Sequence, residues 1–191
     1  RTFSKFLKVK GNIVPCSLQV ITLYAIMEDG TIVRGESNIP EFNNRIGKVF
    51  YDKPVEPTRE ALQAIHDADI ILYGIGSLYT SIIPNLIVDG IVEELKNNKA
   101  PKIYFCNAMS QPGETDHFSL EDHVRALQKH SFEGAVDIVV THSNKASSEI
   151  LEKYKKMGSE PIKVVEKEHT FDILYRDILS FEDNLIRHDS N

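Results

Sequence analysis

The chain has 191 residues, of which 41% are hydrophobic and 26% charged, and a formal net charge of −6. This is core material for one domain of ordinary size, and the interspersed, mildly acidic charge argues against nucleic acid as the main partner, which needs a basic face. No apolar run reaches the roughly 18 residues that a membrane-spanning helix needs, and the opening RTFSKFLKVK puts charges where a signal peptide has its apolar core, so a cytoplasmic protein without a membrane span is expected.

In chain order, the first residue is Arg1 rather than Met, so the chain reads as part of something longer. Cys16 and Cys106 lie far apart in apolar stretches and are expected as free thiols; no CxxC or paired-His spacing marks a metal site. Residues 18–36 hold two β-rich runs joined by Asp29-Gly30, a hairpin signal because that turn needs positive φ. Residues 37–57, with Pro40, Pro54 and Pro57, are expected as an irregular connection carrying one short strand, Ile46–Tyr51. From Thr58 onward the pattern alternates helix and strand. Thr58 can cap a helix running to residue 68, with Leu62 and Ile65 on its inner face. Short apolar strands are expected at 69–73, 102–106, 136–140 and 161–165. Helices are expected over 81–97, 119–130 and 146–157, and a last helical segment at 171–180 precedes a polar tail, 181–191. Ser119 and Asp122 make a capping-box-like start. Such repeats predict an α/β fold, a Rossmann-like and mostly parallel sheet covered by helices, with a β-hairpin before it.

In open α/β sheets ligands sit beyond the carboxyl ends of the strands, and two loops there look specialised. The first is the turn Gly74-Ile75-Gly76-Ser77, which opens a segment rich in hydroxyls: Ser77, Tyr79, Thr80 and Ser81. Unpaired N–H groups at a helix start suit a phosphate, and glycines let a ligand approach the backbone. Pro84 belongs in a first helical turn, which places the cap at Thr80 or Ser81. The Tyr79 ring either stacks on a base or sugar or covers the core. The third glycine of the dinucleotide fingerprint is lacking. The second loop, residues 107–116, gathers Asn107, Gln111, Glu114, Thr115 and Asp116 around a Pro-Gly turn. Asp116 can hold a Mg²⁺ that bridges to phosphate oxygens, or act as a base toward an attacking hydroxyl; alternatively the loop's Asn and Asp satisfy nearby backbone amides. His117 and His123 are expected at the surface. The spacing of Glu36 and Ser37 after the hairpin does not tell whether they reach this cleft, and the charged run 149–156 reads as a solvated helix face.

The phrases GESNIP, GIGSLYTSIIPNLIVDGI and NAMSQPGETD, in that order, resemble the gluconeogenesis factor (YvcK-like) branch of the CofD-like family, and the resemblance runs from about residue 8 to residue 180. Two departures are conservative: Gly74-Ile75-Gly76 stands where the family usually has Gly-Pro-Gly, and Met109-Ser110 where Met-Thr is common. Family members also begin with a Rossmann-like segment carrying a Gly-Gly-Gly-Thr-Gly phosphate loop, so the resemblance makes this chain the C-terminal portion of a single CofD-like domain. It implies a cytosolic, regulatory binder of the sugar nucleotide UDP-N-acetylglucosamine, tied to carbon metabolism, peptidoglycan supply and cell shape, and it admits a homodimer. The ligand-binding set would be Gly74, Gly76, Ser77, Tyr79, Thr80, Ser81, Asn107, Gln111, Glu114, Thr115 and Asp116, with Mg²⁺ accompanying the nucleotide. The other branch of the family transfers a phospholactyl or phosphoenolpyruvyl group from a guanosine diphosphate-activated donor to an acceptor alcohol. Asp116 would then be catalytic.

Overall fold

A computed structural model describes residues 10–42, 44–165 and 168–189; the charged opening 1–9 and residues 190–191 of the tail lie outside the described residues. The hairpin forms as the Asp29-Gly30 pair demands. Strand β1 (Leu23–Met27) pairs antiparallel with β2 (Ile32–Arg34), Gly30 takes φ +86°, and the Asp29 carboxylate accepts the Thr31 N–H at 2.9 Å. Strand β3 (Ile46–Tyr51) then pairs on the other side of β1, giving a three-stranded sheet in the order β2-β1-β3. On β1 the inward residues alternate as the pleat requires, with Leu23, Ala25 and Met27 buried, while on β3 Ile46 and Val49 both face inward across a bulge that leaves Gly47 unpaired.

Helix α1 (Arg59–His66) starts where Thr58 Oγ1 accepts the Ala61 N–H at 3.2 Å. Four parallel strands follow in one sheet: β4 (Ile71–Tyr73), β5 (Lys102–Phe105), β6 (Ile138–His142) and β7 (Asp172–Arg176), in spatial order β4-β5-β6-β7. They are joined through helices, as chain-order parallel strands must be. The expected single helix over 81–97 is instead three pieces. A π-type turn spans Leu78–Ile82, short helix α2 spans Ile83–Leu86, and α3 spans Ile91–Asn97. The break falls at Gly90, which takes φ +76°, while the preceding Asp89 N–H is drawn off to Val55 O at 3.0 Å. Helix α4 (Leu120–Lys129) carries the full capping box: Ser119 Oγ accepts the Asp122 N–H and Asp122 Oδ2 accepts the Ser119 N–H. Helix α5 is Ser148–Lys156.

Two expectations are overturned in the last third. Residues 161–165 are not a sheet strand. The segment instead braces the loop after β5, with Ser110 N–H on Glu160 O at 2.7 Å, Ile162 N–H on Ala108 O at 3.1 Å and Leu120 N–H on Lys163 O at 2.9 Å. The fourth strand position is taken by β7, out of the segment 171–180 that was expected to be helical. Its run Ile173-Leu174-Tyr175 mixes β-branched and aromatic side chains, and pairing along the whole of β6 outweighs a weak helical pattern. The expected polar tail adds β9 (Arg187–His188), which pairs antiparallel with β8 (Leu179–Ser180) at the end of the segment expected to be helical. Strand β6 also starts two residues later than expected, with Val136 buried ahead of it.

The core joins both sheets and the helices: Met27, Ile39, Val49, Leu78, Ile83, Leu95, Tyr104, Leu120 and Leu127 are each at most 2% exposed. Burying each aliphatic side chain of that set contributes about 1.5–3 kcal/mol. Among the described residues no helix is long and apolar enough to cross a membrane.

Candidate functional site

The carboxyl ends of β4, β5, β6 and β7 follow one another in that order, so this edge carries Gly74–Ser77 at one end, Asn107 beside it, then His142 to Asn144, and Arg176 at the far end. The turn after β4 is fixed from the neighbouring strand. Asn107 Nδ2 donates to Gly76 O at 3.1 Å, and the Tyr104 hydroxyl, buried under β5, donates to Asn107 Oδ1 at 3.2 Å. Gly74 has φ +103°, and a Cβ there would stand 3.1 Å from Phe105 O, so glycine is required for the turn to lie against β5. No hydrogen bond to another described residue uses the N–H groups of Ile75, Gly76 and Ser77. Ile75 is exposed and the other two are half-buried.

The donors expected one turn further on are already used. Glu114, 3% exposed, enters from the second loop and sits at the start of the π-type turn. Its Oε2 accepts the Tyr79 N–H at 3.1 Å, and its Oε1 accepts from Thr80 Oγ1 at 2.7 Å and Gln111 Nε2 at 2.9 Å. A carboxylate at a helix start takes the place that an anionic ligand would have. Burial pushes the Glu114 carboxyl above the usual range, the Thr80 hydroxyl and the Tyr79 and Thr80 N–H groups pull it back, and the nearby Glu36 pushes it up again. Glu36 therefore does reach this region. The second loop also lies close against the loop that follows the hairpin: a Cβ on Gly113 would lie 1.8 Å from Pro40 O.

The remaining candidates divide between structure and surface. Thr115, 2% exposed, accepts the Gln111 N–H at 2.9 Å, and Asp116 Oδ2 accepts the Gly113 N–H at 2.7 Å, so both shape the second loop. The Tyr79 ring is buried edge-on against Phe118 and His130, and Ser81 is exposed. The helix start is at Ser77 rather than Thr80 or Ser81, because Ser77 O accepts both the Ser81 and the Ile82 N–H. His117 is exposed beside Glu160 at 2.7 Å, as expected. His123 is not at the surface. It is fully buried, stacked on Tyr104, with its Nδ1–H on Ser119 O at 2.9 Å. Both cysteines are free thiols, Cys16 half-buried and Cys106 buried, and burial pushes the Cys106 thiol up to about 12.

Among the described residues no three His, Cys, Asp or Glu side chains come together to hold a metal. A Mg²⁺ shared between one carboxylate and phosphate oxygens does not need such a group. The sequence reading missed Arg176, His142, Asn144 and His188. Arg176 ends β7 in register with His142 and is an exposed cation at the carboxyl edge. The expected strand 136–140 stopped short of His142, and the expected helix over 171–180 hid Arg176 from a strand end. A depression of about 560 Å³ between Lys48–Pro54, Ile87, Asp89 and Lys129–Ser131 lies away from this edge.

The sequence matches the family described as 2-phospho-L-lactate transferase CofD over residues 1–179. It is 42% identical to the gluconeogenesis factor of Halalkalibacterium halodurans, over 98% of this chain and 60% of that protein, and 40% identical to that of Bacillus subtilis, over 98% and 61%. A putative gluconeogenesis factor of Thermotoga maritima is 43% identical over 86% of this chain. The crystal structure of a UPF0052 family protein from Bacillus halodurans superposes with a TM-score of 0.92 at 41% identity, covering 98% of this chain and 62% of that one. The chain thus spans about 60% of the length of these relatives.

Proposed function

Since this chain belongs to the 2-phospho-L-lactate transferase CofD family, we propose that it is part of a regulatory protein that binds a sugar nucleotide, UDP-N-acetylglucosamine, at the carboxyl edge of its parallel sheet. Its relatives named gluconeogenesis factor point to a role in carbon metabolism, and the ligand would tie that role to peptidoglycan supply and cell shape in the cytoplasm. The observation that carries the binding site is the row of N–H groups at Ile75, Gly76 and Ser77, which no described residue uses. Successive backbone N–H groups on a glycine turn form an anion cradle, and here the diphosphate would lie on them. Asn107 holds the turn in place. Mg²⁺, where it accompanies the nucleotide, would use the Asp116 oxygen that is not on the Gly113 N–H.

Binding is favoured over group transfer because Glu114, the buried carboxylate of the second loop, holds three donors and Asp116, with one oxygen on the Gly113 N–H, is left as the single carboxylate that group transfer could use. The transferase reading rests on the family's description and would make Asp116 the base toward the acceptor alcohol. Titration calorimetry with UDP-N-acetylglucosamine, UDP, GDP and GTP separates the two. Saturable binding of the uridine sugar alone supports the regulatory reading. Binding confined to guanosine nucleotides, with nucleoside monophosphate release that requires an acceptor alcohol and is lost in Asp116→Asn, would replace it.

A further inference from the structure

A second polar group at the carboxyl edge plays no part in the diphosphate cradle. His142 is the last residue of β6, and its Nδ1 lies 3.0 Å from Asn144 O. A carbonyl only accepts, so Nδ1 carries the proton and Nε2 is a bare lone pair. The β8–β9 pairing sets His188 opposite Leu179, whose carbonyl takes the Asn144 amide, and brings its ring to the Cys106 carbonyl at the end of β5, within electrostatic reach of His142. The His188 Nε2 has no partner, so Nδ1 makes that bond and Nε2 is a second lone pair. Asn144 donates Nδ2 to Leu179 O at 2.7 Å, and its Oδ1 is left without a donor. All three atoms are shut off from solvent and unpartnered, although the residues themselves are half-buried.

Buried polar atoms are nearly always paired, and here three acceptors are gathered with no donor among them. A phosphate, itself an acceptor, satisfies them only if the rings take up protons, which burial opposes at His188. A ligand part that carries N–H or O–H groups satisfies them as they stand. We propose that His142, Asn144 and His188 form the wall that recognises the uncharged, donor-bearing part of the ligand, its base or its sugar, while the turn after β4 takes the charged part. The two-residue pairing of β8 with β9 is the element that gives way to admit it. This assignment rests on the sugar-nucleotide reading for the identity of the whole ligand, but not for its own chemistry.

The test reads the two rings directly. With ¹⁵N-labelled histidine in the full chain, Nε2 of His142 and His188 is followed on adding uridine, N-acetylglucosamine, UDP-N-acetylglucosamine, inorganic pyrophosphate or Zn²⁺. The expected result is an upfield move of both Nε2 signals with UDP-N-acetylglucosamine and with one of its two neutral parts, which tells base from sugar, and none with pyrophosphate. In calorimetry, His142→Phe and His188→Phe each weaken UDP-N-acetylglucosamine about tenfold, the worth of one hydrogen bond, and leave pyrophosphate unchanged. Tight sugar-nucleotide binding with silent rings and unaffected variants would overturn the wall and leave the sugar-nucleotide reading standing. Rings that respond to uridine or N-acetylglucosamine alone, with UDP-N-acetylglucosamine bound no tighter than its parts, would do the reverse. A response to Zn²⁺ only, or to nothing, would sink the wall outright.

Discussion

At the scale of single residues, the site is organised by a carboxylate that belongs to the protein. Glu114 joins the Tyr79 N–H, the Thr80 hydroxyl and the Gln111 amide, so Glu114→Ala leaves a buried N–H without an acceptor. The expected cost is about 1–3 kcal/mol, read from urea midpoints. The pH dependence has a definite sign. Burial holds the folded carboxyl above its usual 4.5, so the native state grips that proton more firmly than the unfolded chain does. The stability this confers is whole below pH 4.5 and is lost as pH rises through the raised value. Glu114→Gln removes that titration, and its stability relative to the parent is expected to improve as pH rises from 4.5. Glycines show the same dependence on surroundings. Gly90→Ala meets only ordinary contacts at 3.9 Å and is strained by φ +76° alone, about 1–2 kcal/mol. Gly113→Ala would drive a Cβ into Pro40 O, part the two loops and cost at least about 2 kcal/mol more. Thermal melts of the two variants side by side check the order.

Between elements, the antiparallel sheet and the end of helix α4 are tied by Lys129, whose Nζ donates to Gly47 O at 2.6 Å, and by a histidine. His130 donates Nδ1–H to Ala126 O at 2.7 Å and accepts the Val49 N–H on Nε2 at 3.0 Å. Both ring nitrogens have fixed roles only in the neutral form. Burial lowers its pKa from 6.5, and that of His123 likewise. Protonation would set a donor against the Val49 N–H, so this contribution is present above pH 6.5 and is lost as pH falls through 6.5 and below. Thermal stability is expected to drop between pH 7 and pH 5. His130→Leu should flatten part of that fall, His123 and His188, both also lowered by burial, contributing to the remainder, and should cost about 1–3 kcal/mol at pH 7 for the orphaned Val49 N–H. Elements governed by their own few residues were legible in sequence. Asp29-Gly30 made its hairpin, and Thr58 and Ser119 capped their helices. Those decided by distant partners were not. Residues 161–165 and β7 are both short and apolar, and only the vacancy beside β6 and the loop at Ser110 determine which one enters the sheet. The same holds at the site. The glycine turn was visible in the sequence, but the occupation of its helix start by a residue 35 positions away was not.

For the whole molecule, the parallel sheet has an uneven pair of edges. Strand β4 pairs with β5 on one side, and among the described residues nothing pairs with the other. Ile70, Leu72 and Ile75 are 56%, 57% and 65% exposed along it. Parallel strands are normally covered on both faces, and an uncapped apolar edge is a template for another chain. The carboxyl end of this strand is the Gly74–Ser77 turn, so whatever covers the edge also borders the cradle. The chain at micromolar concentration is therefore expected to self-associate through β4, with sedimentation velocity showing species larger than the monomer. Leu72→Lys places a charge in the middle of the edge and leaves the buried Tyr73 alone, so it should return the chain to monomer without lowering its melting temperature. A Leu72→Lys chain that still associates would locate the contact elsewhere. Monomeric parent chain at every concentration would mean that three exposed apolar residues on a three-residue strand are too small a patch to hold two copies together.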